Sequence, residues 1–362
     1  MFDDPIDYCV DSSEFFRALK RRAAVEGVPT AAAIALTYRC NFNCVHCYAH
    51  SSENPEAELS GAAWMGIIDQ LAEAGCLFLL ITGGEPLLRP DFKDIYLHAK
   101  KRGMLVTVFT NGSLVDESII RLFKEYPPRE VDISLYGMSA ATCRNTVGTD
   151  RSLQRCLEAV HALRREGIQL ALKTVVMKAN RNDFDQIRNL AESLGVKFRY
   201  DVCITPQLDG GLAPVAQRLP VTEAVALEYS DRKRMEKWQE IYARNPGPRG
   251  EGLLYRCSAG RNLAFIGPDG GVHPCPSATH RRYTMDKTSF AEAWGRMHQE
   301  LSLLRSLKDS ACFQCEKSLY CGHCPAFCHL DAGDEAGKSQ YLCELGSERL
   351  RCLNAMSNAD GE

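Results

Sequence analysis

Long apolar runs are missing from this 362-residue chain. None approaches the roughly 20 residues that cross a bilayer as a helix, which excludes a helical membrane span. A basic excess is missing too: 43 Lys and Arg face 46 Asp and Glu, a net charge of −3. That leaves no positive field to hold nucleic acid. The amino terminus, Met1-Phe2-Asp3-Asp4-Pro5, is acidic and lacks the basic and apolar regions of a secretory signal. No internal repeat or low-complexity tract stands out beyond a strand–helix alternation. These absences point to the cytoplasm, with neither a membrane nor a nucleic-acid partner. Hydrophobic content of 45% and charged content of 25% are ordinary for a globular chain, and the length favours two domains.

What the chain has in quantity is cysteine, 17 in all. Without an export signal, that number argues for metal rather than disulfides. Cys40, Cys44 and Cys47 form C-x3-C-x2-C directly after the apolar run 34–36. Three thiolates this close can hold three corners of a four-iron cluster, which needs four ligands. One iron is left open to chelate a substrate or cofactor. Further on, Thr82-Gly83-Gly84-Glu85-Pro86 follows a second apolar run. Gly83 and Gly84 let backbone approach a ligand closely and tolerate positive φ, and Glu85 can accept hydrogen bonds from an ammonium. A zinc knuckle or buried thiols is the competing reading.

From 31 to about 204 strand and helix patterns alternate. Ser60 is placed to cap a helix whose Trp64, Ile67, Ile68 and Leu71 share one face, with Gly75 ending it. Strands are expected at 77–81, 104–109, 131–135, 168–177 and 196–204. Helices are expected at 91–102 and 116–126. Two more carry Leu153, Cys156, Leu157, Val160 and Leu163, and Phe184, Ile187, Leu190 and Leu194, stopped by Gly167 and Gly195. Six βα units with short connections predict a parallel sheet with right-handed crossovers, an open (β/α)6 TIM-like partial barrel. Ligands of such sheets sit at the carboxyl ends of the strands, where the cysteine triad and the Gly-Gly-Glu-Pro segment fall. So do Asn111 in Thr110-Asn111-Gly112, and Ser134. Lys173 and Arg199, on the fifth and sixth strands, either face the barrel mouth or form ordinary salt bridges.

The triad and the Gly-Gly-Glu-Pro segment together resemble the radical S-adenosylmethionine (radical SAM) superfamily. That resemblance implies S-adenosylmethionine and one [4Fe-4S] cluster held by Cys40, Cys44 and Cys47. It also implies Gly83, Gly84 and Glu85 beside the methionine amino group, and Asn111 and Ser134 beside the ribose and methionine. His46 and Tyr48, which flank Cys47, are expected near the adenine, with His46 not a metal ligand.

The carboxyl-terminal part carries Cys257, Gly270, Cys275, then Cys312-x2-Cys315-x5-Cys321-x2-Cys324-x3-Cys328, and Cys343. This resembles the SPASM extension of radical SAM peptide-modifying enzymes, and departs from it at Cys321-x2-Cys324, with Cys328 additional. The family topology implies an outer auxiliary cluster on Cys312, Cys315, Cys321 and Cys343. An inner one would lie on Cys257 and Cys275, closed by Cys324, Cys328 or both. Eight thiolates match two auxiliary [4Fe-4S] clusters; zinc ribbons would consume the same eight. The stretch 265–272 reads as a hairpin, and Phe290, Trp294, Met297, Leu301 and Leu304 as a core helix face. Cys9, Cys76, Cys143, Cys156, Cys203 and Cys352 carry no motif. The expected division is an arm at 1–30, the partial barrel at 31–204, and a bridging loop and charged helix at 205–255. The SPASM domain follows at 256–350, with a tail at 351–362.

The resemblance implies an enzyme that reductively cleaves S-adenosylmethionine to a 5′-deoxyadenosyl radical. The favoured reading is that it modifies, by crosslinking, a ribosomally made precursor peptide. The expected partners are that peptide, a separate leader-binding protein (the arm is too short for a leader domain) and a flavodoxin- or ferredoxin-type reductant. Tetrapyrrole side-chain chemistry, sulfatase-type maturation and a non-catalytic iron–sulfur electron carrier are the alternatives.

Overall fold

A computed structural model of the protein describes residues 12–49, 58–244, 247–248, 252–285, 288–306 and 312–359. Helix α1 (Ser12–Glu26) leads into strand β1 (Ala31–Ala35). Then come α2 (Gly61–Glu73), β2 (Phe78–Thr82), α3 (Phe92–Lys101), β3 (Leu105–Thr110), α4 (Glu117–Glu125) and β4 (Glu130–Ser134). The alternation continues with α5 (Ala140–Val147), α6 (Ser152–Arg165), β5 (Leu170–Val175), α7 (Phe184–Leu194) and β6 (Lys197–Asp201). Neighbouring strands from β1 to β6 pair in parallel, in chain order. This is the expected partial barrel, and local chemistry explains its punctuation. Ser60 Oγ accepts the Ala63 amide at 3.2 Å and starts α2. Gly195 ends α7 at φ +63°, a backbone conformation that costs other residues.

The strands separate two environments. Ile34, Ile81, Val108, Val131, Ile133 and Leu172 face the helices and join Trp64, Ile68, Leu71 and Phe123 in the main core. Each such side chain contributes roughly 1.5–3 kcal/mol on burial. The opposite, inward face carries Asp132, Ser134, Lys173 and Arg199, the last three in register across β4, β5 and β6. Period-two alternation therefore delivers polar groups to the interior of the barrel.

After β6 the chain forms α8 (Val221–Ser230) and α9 (Arg232–Arg244). The single charged helix expected within 205–255 is two helices: Asp231 is extended (φ −89°, ψ 107°) and its Oδ1 accepts the Arg234 amide at 3.1 Å. An aspartate that caps one helix ends the other. Residues 245 and 246 of the bridging segment lie outside the described residues, as does Cys9.

Strands β7 (Leu263–Ile266) and β8 (Val272–His273) form the expected hairpin, and β7 also pairs in parallel with β1. The sheet thus has eight strands in the order β6-β5-β4-β3-β2-β1-β7-β8. Helices α10 (Phe290–Leu303), α11 (Pro325–Ala332) and α12 (Gln340–Ala359) complete the described chain. Phe290, Trp294, Met297 and Leu301 of α10 are buried in the main core, as their spacing predicts. At the other edge of the sheet, Arg349 of α12 makes a buried bidentate pair with Glu228 of α8, at 2.7 and 2.8 Å. Around it Tyr200, Val202, Phe327, Tyr341 and Leu345 form a second core. The cysteine-rich module therefore holds both edges of the barrel, through β7 at one and α12 at the other.

Candidate functional site

The loop after β1, which carries the cysteine triad, is held by backbone hydrogen bonds from two sides. The Gly84 amide donates to the Thr37 carbonyl at 2.7 Å, and Glu85 N donates to Arg39 O at 2.9 Å. On the other side Asn43 N donates to Val147 O at 3.0 Å and Val45 N to Thr146 O at 2.9 Å, at the end of α5. The approach of the two loops explains the double glycine. A Cβ at Gly83 would collide with the Thr37 carbonyl, and one at Gly84 with the carbonyls of Tyr38 and Arg39. Gly83 also has φ +154°. In this structure the glycines admit the backbone that leads into Cys40.

Cys40, Cys44 and Cys47 line one cavity of about 540 Å³, together with His46, Tyr48, Gly83, Gly84, Asn111 and Ser134. Cys40 Sγ already accepts the Phe42 amide at 3.4 Å and lies 3.9 Å from Asn111 Nδ2. Burial pushes the Cys40 thiol up to about 11 and raises Cys44 and Cys47 as well, with each neighbouring sulfur opposing a second charge at Cys44. Iron binding would displace those protons. Three soft donors on one wall, one of them facing two N–H groups, fit an iron–sulfur cluster. Among the described residues no three His, Cys, Asp or Glu groups converge as one metal ion requires. A cluster spreads its thiolates over separate irons.

Glu85 lies behind this wall, fully buried and outside the cavity lining. Its Oε1 accepts Leu87 N at 3.0 Å and Thr110 Oγ1 at 2.8 Å, and its Oε2 accepts Asn111 N at 2.7 Å. Burial pushes its carboxyl up to about 7 against those three donors. The side chain is therefore committed to joining the loops after β2 and β3, so groups in the cavity face the Gly83–Gly84 backbone. Asn111 is similarly engaged: its Nδ2 donates to Asn41 Oδ1 at 2.9 Å and its Oδ1 accepts Ser113 N at 2.9 Å.

His46 packs against Tyr136 with ring centroids 4.4 Å apart. Its Nδ1 is buried with no partner among the described residues, and burial lowers its pKa to about 4. The Tyr48 carbonyl accepts Leu208 N at 2.9 Å, which ties the loop after β6 to the triad loop. Tyr38, Tyr136 and Cys203 also line the cavity and were not singled out from the sequence. Tyr136 lies two residues beyond Ser134 at the end of β4, a strand-end position that carries a readable signal. Lys173 and Arg199 face the same interior.

In the carboxyl-terminal module Cys257 and Cys324 are each near enough to Cys275 to act on it electrostatically. Cys328 is buried on α11, facing Cys324, Cys312 and Cys321, while Cys343 faces Cys315. Tyr48 lies within electrostatic reach of both Cys47 and Cys275, so Cys275 is on the triad's side of the module.

Residues 34–191 match the radical SAM superfamily model. The chain is 25% identical to an AdoMet-dependent heme synthase of Methanosarcina barkeri, over 88% of this chain and 97% of that one. It is 28% identical to the mycofactocin maturase MftC of Mycobacterium ulcerans, over 84% and 82% of the two chains. The fold is that of Streptococcus suis SuiB, solved bound to its precursor peptide SuiA. The TM-score is 0.66 at 14% identity, over 95% of this chain and 84% of that one. Among the described residues no helix is long and apolar enough to cross a membrane.

Proposed function

We propose that this chain, a radical SAM enzyme that matches the superfamily model over residues 34–191, crosslinks or otherwise oxidatively modifies a ribosomally made precursor peptide. When bound, S-adenosylmethionine and a [4Fe-4S] cluster supply a 5′-deoxyadenosyl radical by one-electron cleavage. The residues of the chain do the rest. Cys40, Cys44 and Cys47 hold the cluster at the cavity wall, with Asn111 donating toward Cys40. The Gly83–Gly84 backbone receives the amino end of the cofactor, and Glu85 holds that backbone in place. Ser134 and Tyr136 border the nucleoside end, with His46 and Tyr48 beside them. Enclosure by the barrel and by the loop tied to Tyr48 keeps water from the reactive centre.

The observation that carries the reading is the cavity of about 540 Å³ that brings the triad, Gly83–Gly84 and Asn111 to one wall. The peptide as substrate is supported by the similarity to a mycofactocin maturase and by the cysteine-rich module that grips both barrel edges. In that module we assign Cys257, Cys275 and Cys324 to an inner auxiliary cluster, and Cys312, Cys315, Cys321 and Cys343 to an outer one. Cys328, buried beside Cys312, Cys321 and Cys324, stays outside this assignment, which leaves the inner cluster three thiolates. A flavodoxin- or ferredoxin-type reductant and a separate leader-binding protein complete the proposal. Tight binding of a leader peptide by the isolated chain would remove the second.

The test is mass spectrometry of short peptides encoded beside the gene, incubated anaerobically with reconstituted enzyme, reductant and S-adenosylmethionine. Loss of two hydrogens within one peptide supports the proposal. The similarity to a heme synthase along nearly the whole chain favours tetrapyrrole side-chain chemistry as the second reading. Spectroscopic titration with an iron porphyrin separates the two: a saturable change in the Soret band and an unmodified peptide would replace the first reading with the second.

A further inference from the structure

The inward faces of β4, β5 and β6 carry acidic and basic groups in equal number, but they do not all pair. Glu130, Asp132 and Asp201 supply three carboxylates; Lys173, Lys197 and Arg199 supply three cations. Glu130 and Asp132 are already taken, and Asp201 Oδ1 accepts the Cys203 amide at 2.9 Å. Arg199 reaches Asp132 at 2.8 Å and Glu130 at 2.5 Å, and Lys197 reaches Glu130 at 2.5 Å. Lys173 is left over. Its Nζ lies 3.2 Å from the centroid of the Phe109 ring, it makes no ion pair among the described residues, and it lines the cavity. Burial pulls its pKa down to about 8, with Asp132 opposing and Arg199 assisting. An ammonium enclosed without a counter-ion is costly, and an aromatic face compensates it only in part.

We propose that Lys173 is the receptor for a carboxylate of the substrate, the group that orients a peptide's carboxyl terminus or acidic side chain in the barrel. This rests on the cavity being the radical SAM site. In that reading the cofactor's own carboxylate is held at the open iron near Gly83–Gly84. Lys173 lies on β5, three strands from β2, a separation of about 14 Å at the usual strand spacing. The anion it meets therefore belongs to the second molecule in the cavity. Phe109, beneath the ammonium, offers an apolar surface for the chain that bears the anion.

The test uses reconstituted full-length enzyme saturated with S-adenosylmethionine. The probe is N-acetyl-trialanine, whose single charge is its carboxylate, with the uncharged C-terminal amide as control. Calorimetry should show the acid binding at one site and the amide at least about tenfold more weakly. Lys173→Met should weaken the acid by a similar factor and Lys173→Arg should restore most of it. Affinity for S-adenosylmethionine should stay within about twofold throughout, which also shows that the variants fold. Equal binding of acid and amide, or unchanged acid binding by Lys173→Met, overturns the proposal. So does a tenfold loss of cofactor affinity in Lys173→Met, because the carboxylate would then be the cofactor's. A parallel arm uses an iron porphyrin with free propionates and its methyl ester. Lys173-dependent binding of that acid and none of the peptide acid overturns the peptide as the source. The binding readout needs no turnover. Failure to modify any peptide would therefore count against the peptide reading alone and leave the Lys173 result standing.

Discussion

Glu85 Oε2 accepts the backbone amide of Asn111 at 2.7 Å, so the loop after β2 and the loop after β3 share one buried carboxylate. With Leu87 N and Thr110 Oγ1 on its other oxygen, Glu85 is surrounded by donors. Glu85→Gln places an NH2 group against one of them and leaves buried donors without an acceptor. We expect a loss of about 1–3 kcal/mol, a melting temperature lower by a few degrees, and weaker S-adenosylmethionine binding. Thermal melts and calorimetry on the same protein check both. Unchanged cofactor affinity would mean that the two loops hold their positions without this bond.

The double glycine predicts a contrast between two alanine substitutions. Gly84→Ala drives a methyl group into the carbonyls of Tyr38 and Arg39, immediately before Cys40. It should reduce iron uptake by the triad and lower stability by about 1–3 kcal/mol, as overpacking does. Gly66→Ala, on α2, meets nothing within 4 Å. There the same change should stabilise by up to about 1 kcal/mol, because alanine favours helix. Iron content and melting curves of the pair give the comparison.

In the cysteine-rich module, Cys324 rather than Cys328 faces Cys275. Cys324→Ala should therefore remove about four irons per chain, whereas Cys328→Ala should lose few or none. Iron and sulfide analysis after anaerobic reconstitution measures the difference. Equal losses would place both thiols in cluster binding.

Carboxylate binding at Lys173 needs the protonated amine. The free amine is held down to about 8 by burial, with Asp132 opposing and Arg199 assisting; Glu130, Lys197 and Asp201 are the remaining charges on these strands. Affinity for the acid probe should be full below about pH 8. Above it, affinity should fall by up to about tenfold per unit, until the higher pKa of the liganded amine is reached. Calorimetric titrations on either side of that value test it, and Lys173→Arg should show no such decline.

Much of this architecture was legible in the residues. The face made by Trp64, Ile67, Ile68 and Leu71, the cap at Ser60 and the stop at Gly195 are local signals, and each appears where the spacing predicts. What was missed depends on partners distant in the chain. The hairpin at 265–272 was readable from its turn, but the parallel pairing of β7 with β1 joins segments more than 200 residues apart and leaves no local mark. Helix α5, Ala-Ala-Thr-Cys-Arg-Asn-Thr-Val, is short and has no apolar stripe, yet its last carbonyls anchor the triad loop. Glu85 stands next to the glycines in sequence, but two of its three partners, Thr110 and Asn111, come from the end of β3, and only the fold shows it committed there. Lys173 was left between two readings because the charge balance of the inward face depends on register across three strands.

The central claim is that Cys40, Cys44 and Cys47 hold a cluster to which S-adenosylmethionine binds directly. The most direct measurement is electron paramagnetic resonance of the anaerobically reduced, reconstituted protein, with and without S-adenosylmethionine. 5′-Deoxyadenosine is quantified on the same samples. The wild-type spectrum should change when the cofactor is added, and 5′-deoxyadenosine should form. The Cys40→Ala/Cys44→Ala/Cys47→Ala variant should keep the iron of the carboxyl-terminal module yet lose both the spectral change and the product. A variant that still shows the change, or a wild type that never shows it, would contradict the account.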